Sequence, residues 1–242
     1  MESEIDLNMN MKTSRIILVA LAAIAAVACG PKVSETTRVK VVFEGEAPEA
    51  VKLSLPAAAI DQTVPVKDGK FQVELPTSKT GFASLQADNM RIEFISDGTP
   101  LTISISADKR VSFVSKYPEL SLNHRHEIFK QAQADHRNQS EARLDSIQNA
   151  GGDSEALNKF YEEYRTFTKS FLLNAIHDNN DNVICLRAID RLALFVTDVQ
   201  LDSVLNTLSP EIASLSSVAR LKINLENRIQ EADSAKAAQP AQ

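Results

Sequence analysis

Apolar and polar positions alternate with a period of two from Arg38 to Tyr117, and with a helical period after Pro118. Lys70-Phe71-Gln72-Val73-Glu74-Leu75 alternates cleanly, as do Ile92-Glu93-Phe94 and Leu101-Thr102-Ile103-Ser104-Ile105. Such runs predict half-buried strands of an antiparallel sheet, because successive side chains of a strand point to opposite faces. Val39 to Phe43, Val51 to Leu55 and Val111 to Val114 fit less strictly. Asp68-Gly69 and Asp97-Gly98-Thr99-Pro100 supply turn chemistry between them. About seven short strands at this spacing predict a small sandwich or barrel.

Beyond Pro118, Glu119 to Asn149 reads as a long polar helix with Ile128, Phe129, Ala132, Leu144 and Ile147 as its thin apolar content. Gly151-Gly152 ends it, and Asp153 or Ser154 can cap the next helix. There Leu157, Phe160, Tyr161, Tyr164, Thr168, Phe171 and Leu172 follow steps of three and four, the best amphipathic stripe in the chain. Asn182 to Phe195 reads as a mostly apolar helix, and Asp198 to Leu208 as a short one. Ser209-Pro210-Glu211 is a helix start, with Ile212, Leu215, Val218, Leu221 and Leu225 on the last helix. The expected fold class is therefore α+β. An antiparallel β-sandwich or barrel-like domain occupies 38–117, an all-α region 118–231, and a frayed, flexible tail 232–242.

The N-terminus carries a different pattern. Lys12 and Arg15 precede an unbroken apolar run from Ile16 to Ala28. That run is shorter than the roughly 20 residues needed to span a bilayer, but it fits the core of a secretion signal. It ends in Ala26-Val27-Ala28-Cys29-Gly30, which resembles the lipobox of bacterial lipoproteins. The resemblance implies cleavage of 1–28, diacylglycerol on Cys29, and 29–37 as a lipid-anchored tether. Residues 1–10 hold Glu2, Glu4 and Asp6 where a signal should be basic, so translation is expected to start at Met11. Gly30, in place of an acidic residue, resembles the sorting signal for an outer-membrane address facing the periplasm.

The formal charge of −6 gives no electrostatic ground for binding nucleic acid. The β half is charge-balanced and the net negative charge lies in the helical half. With 7 Gly there is little material for a phosphate-cradling loop, and no P-loop, dinucleotide fingerprint, His-Glu-x-x-His or serine elbow occurs. No catalytic residue, cofactor or metal site is expected.

Candidate chemistry reduces to a few side chains. Cys185, in Val183-Ile184-Cys185-Leu186, is apolar on both sides and is expected to be buried and inert. His124, His126 and His136 cluster in sequence. On a helix, however, positions i and i+2 diverge by about 200°, so a solvated face or an interdomain hinge is expected rather than a metal site. Paired acids such as Glu162-Glu163 read as a solvated face. The aromatic stripe Phe160, Tyr161, Tyr164, Phe167 and Phe171 is expected to be core, with a groove or protein interface as the other reading.

Three stretches carry a further likeness: Val66-Lys67-Asp68-Gly69-Lys70-Phe71, Ile92 to Ile103, and Leu201 to Glu211 with Leu208-Ser209-Pro210-Glu211 at its end. They resemble the N-terminal domain of unknown function and the helical region of thioredoxin-like lipoproteins of the Bacteroidota. Enzymatic members of that family continue into a thioredoxin fold with a Cys-x-x-Cys pair. The present chain is expected to lack that fold, and neither Cys29 nor Cys185 matches the pair. The functional expectation is a membrane-anchored, non-enzymatic interaction or accessory module. It would contact the bilayer through acylated Cys29 and an unknown periplasmic protein through its folded part. The alternative is the substrate-positioning or sensor half of a thiol–disulfide oxidoreductase system whose thioredoxin domain is absent or separately encoded.

Overall fold

Eight strands, not seven, form the N-terminal half of the computed structural model, which describes residues 33–237. They are β1 (Thr36–Phe43), β2 (Ala50–Leu55), β3 (Ile60–Pro65), β4 (Lys70–Pro76), β5 (Phe82–Ala87), β6 (Met90–Ile95), β7 (Leu101–Ile105) and β8 (Val111–Ser115). They make two four-stranded sheets, ordered β4-β1-β7-β8 and β3-β2-β5-β6. The alternation fixes which face is buried. Val39, Val41 and Phe43 of β1 point inward between outward Arg38 and Lys40, and Leu101, Ile103 and Ile105 do the same on β7. Val51, Leu53 and Leu55 answer them from the second sheet, with Leu85 and Phe94. Each such side chain contributes about 1.5–3 kcal/mol of burial. One pairing departs from the antiparallel expectation: β1 runs parallel to β7, Val41 opposite Ile103.

At the predicted Asp68-Gly69 turn both residues have positive φ, 49° and 67°, and Lys67 and Lys70 exchange two backbone hydrogen bonds across it. A Cβ on Gly69 would stand 3.2 Å from the Phe43 carbonyl oxygen, so glycine fits both the dihedral and the close approach.

The helices follow as α1 (Leu122–Asn149), α2 (Ser154–Asp178), α3 (Ile184–Leu192), α4 (Asp198–Leu205), α5 (Pro210–Ala213) and α6 (Ser216–Ala237). The caps are largely those the sequence signals. The Asp153 side chain accepts from the Ala156 N–H, Ser209 from Ile212, and Thr197 closes a capping box with Gln200. The expected single last helix is split at Ser214-Leu215. There the Ser214 hydroxyl donates to the Glu211 carbonyl, and the Leu215 N–H reaches only three residues back, to Ile212. The final helix runs to Ala237, past Glu231, where fraying was expected.

The sandwich and the helices belong to one compact unit. Helix α3 lies at the centre of the helical layer, with Ile184, Cys185, Ala188, Ile189 and Leu192 all buried. Around it pack Leu172 and Ile176 of α2, Leu201 and Leu205 of α4, and Val218 and Leu225 of α6. Helix α1 buries only Leu122, Asn123, His126 and Phe129, all in its first turns, and packs there against the edge strands β6 and β8.

Candidate binding cleft

Helical spacing builds a cleft where α1, α2 and α3 meet the sandwich edge. Lys130, Gln133 and Arg137 follow one another along one face of α1, and Tyr164, Thr168 and Phe171 along one face of α2. Arg187, Asp190 and Arg191 continue the lining from α3, and Leu194 from the turn that follows it. Two hollows result. One, of about 500 Å³, lies between the three helices, and the other, of about 620 Å³, lies against Arg91, Ile92 and Glu93 of β6 and Phe113 of β8. They share Lys130, Gln133 and Arg191 and so form one continuous groove.

The aromatic stripe divides between core and cleft. Only Phe160 is buried, while Tyr161 and Phe167 are half in solvent, at 50% and 54% exposure. Tyr164 and Phe171 line the groove, and Phe171 stacks on Phe129 of α1 at 5.7 Å. The core expectation therefore holds for Phe160, which is buried, and for Phe171, which packs against the core of the helical layer, while α1 has too little apolar surface to cover the others.

The three clustered histidines go to three environments. His124 is exposed. His126 is not on a solvated face: it is buried at the junction of sandwich and helices, its ring 5.2 Å from that of Phe82. His136 stacks on Tyr164, with Nε2 3.1 Å from the Thr168 hydroxyl. Burial lowers the pKa of His136, and burial with the nearby charges of Lys130 and Arg187 lowers that of His126 to about 4. Among the described residues no group of three His, Cys, Asp or Glu side chains is placed to hold a metal ion.

His126 gives a pH-dependent stability of definite sign. Its folded pKa lies below the ordinary 6.5, so the unfolded chain binds the proton first as pH falls. Stability attributable to the neutral ring is complete above pH 6.5 and is lost as pH falls towards 4, by roughly 3 kcal/mol at most. Glu93 and Asp190 face the same groove and are retained in a variant, so the difference isolates the ring. His126→Leu should show a flatter urea midpoint between pH 7 and 4 than the parent, and parallel profiles would refute this assignment.

A second polar centre escaped the sequence reading. The Asp97 carboxylate, 2% exposed, accepts from the Thr99 N–H and hydroxyl on one oxygen. Its other oxygen accepts from the Ser121 hydroxyl and from the Asn123 backbone and side-chain N–H groups. The Asn123 side chain also accepts from the Ile95 N–H at 2.7 Å and donates to the Ile95 carbonyl at 2.7 Å. This cluster joins the end of β6 to the start of α1 and is fully used in doing so.

Cys185 is fully buried, as expected, and burial followed by the Asp181 charge pushes its thiol up to about 12. Cys29, the expected lipidation site, lies outside the described residues. Among those residues no helix is long and apolar enough to cross a membrane. No protein-family model matches the chain, and no curated protein matches it.

Proposed function

We propose that this protein is a non-enzymatic binding or accessory module, tethered by a lipidated Cys29 to the outer membrane and facing the periplasm. The observation that carries the binding part is the open groove of α1, α2 and α3. It is walled by aromatic rings and edged by cations, and the chain's buried nucleophile, Cys185, lies outside its lining. A concave, largely apolar surface with a few placed polar groups is the usual form of a ligand site. Support for the tether is the order of basic residues, apolar run, small residues and cysteine before Gly30. At about 0.8 kcal/mol per buried methylene, two or more acyl chains give durable anchoring.

The tether is tested by labelling cells with a fatty acid. The parent chain should incorporate label and sediment with membranes. Cys29→Ala should accumulate as an unprocessed, unlabelled precursor. Normal processing and membrane retention of the variant would overturn the assignment.

A further inference from the structure

We infer that the groove binds an amphiphilic carboxylate, an apolar body carrying one anionic head. This rests on the reading of the chain as a binding module and adds the class of ligand. The charge balance of the groove runs against that of the protein. The chain carries a formal −6, yet Arg91, Lys130, Arg137, Arg187 and Arg191 line the two hollows against only Glu93 and Asp190. The hollow between the helices has no carboxylate in its lining at all.

Most of these cations are already engaged. Glu93 takes both Arg91 and Arg187, Lys130 pairs with Glu127 at 2.6 Å, and Arg137 lies 3.9 Å from Glu141. Arg191 is different, for among the described residues no carboxylate pairs with it. It stands at the waist shared by the two hollows, which Gln133 also lines. An exposed guanidinium at the rim of an apolar wall suits a carboxylate, which it can grip with two parallel hydrogen bonds.

The apolar lining sets the rest of the ligand. Tyr164, Phe171, Leu172, Leu194 and Phe195 line the same hollow as Arg191. Leu194 is 80% exposed, an aliphatic side chain at the mouth with nothing covering it. The volume of about 500 Å³ lies within the usual range for small-ligand sites.

The full-length chain titrated calorimetrically with dodecanoate, below its micelle concentration, tests this. Saturable one-site binding is expected. Dodecan-1-ol (no charge), dodecyltrimethylammonium (reversed charge) and acetate (no chain) should each bind at least about tenfold more weakly, a difference of ~1.4 kcal/mol. Arg191→Glu and Leu194→Glu change exposed positions, so both variants should keep the parent melting temperature while losing at least tenfold in affinity. Absence of saturation with dodecanoate would overturn the inference. So would equal binding of the alkylammonium or of acetate, or unchanged affinity in both variants. If dodecanoate fails while Cys29 still takes label, the tethered-module reading stands and only the ligand class falls.

Discussion

Replacing Asn123 with alanine should destabilise the folded chain by about 4 kcal/mol, because two buried backbone groups lose their partners at once. Strand β6 lies at the edge of its sheet, so its last residue has no further strand to satisfy it. The Asn123 side chain supplies that missing strand in miniature: its carbonyl takes the Ile95 N–H and its amide meets the Ile95 carbonyl. Ile95 is fully buried, so neither group can turn to water. The same amide also contributes to the Asp97 cluster, which has no buried cation and depends entirely on hydrogen-bond donors. Asn123→Asp is the sharper variant. It keeps an acceptor for the Ile95 N–H but turns an anionic oxygen on the Ile95 carbonyl and on Asp97, and should be at least as destabilised at pH 7. Urea unfolding measures the loss, and hydrogen exchange should show the Ile95 amide losing its protection. A change below about 1 kcal/mol in Asn123→Ala would mean that water replaces the side chain, as it does at an exposed polar contact.

That junction also marks where sequence reading stopped. The switch from a two-residue to a helical period at Pro118 is local, and it located the boundary between sheets and helices correctly. Strands such as Leu101–Ile105 were legible because alternation and burial coincide there. Two strands gave no such signal. Strand β3, Ile60–Pro65, exposes most of its residues, and β5 buries two small alanines, Ala83 and Ala87, which a hydrophobicity pattern barely registers. The parallel pairing of β1 with β7 is equally silent, since it joins segments about sixty residues apart that carry no signal of each other.

The site was less legible than the fold for a related reason. Asp97, Ser121 and Asn123 are residue types that usually face water, and in the sequence Asp97 signals only a turn while Ser121 and Asn123 carry no signal of burial. Their burial follows only from β6 and α1 meeting end to end. His126 is the same case on a smaller scale: helical geometry separated it correctly from His124, but only the packing of Phe82 against α1 reveals which of the two is inside. The groove itself arises from an imbalance visible in retrospect. Helix α2 carries five aromatic rings in its stripe, whereas α1 offers Phe129 and little else, so Tyr164 and Phe171 are left lining the groove.

Cys185 should react with a thiol reagent about a thousandfold more slowly in the folded chain than after unfolding. The thiolate is the reacting species, and each step of one in pKa changes its population tenfold at neutral pH. The folded thiol is pushed up to about 12 against an ordinary 9.0, and the side chain is fully buried on α3 between Ile184 and Leu186. Steric closure adds to the chemical effect, so about a thousandfold is the least slowing expected. The same shift has a consequence for stability whose sign is fixed by proton binding. Below pH 9 both states hold the proton and nothing changes. Between pH 9 and 12 the unfolded chain releases it first, so the folded state loses stability as pH rises through that window. Cys185→Ala, which removes the titrating group, should flatten that alkaline loss although it weakens the core at pH 7. Dithiothreitol-driven reduction of insulin should not be accelerated by the protein, because exchange needs an accessible thiolate and a resolving partner. Rapid labelling without denaturant, or insulin reduction abolished in Cys185→Ser, would place this thiol among reactive cysteines and return the chain to the thiol–disulfide reading.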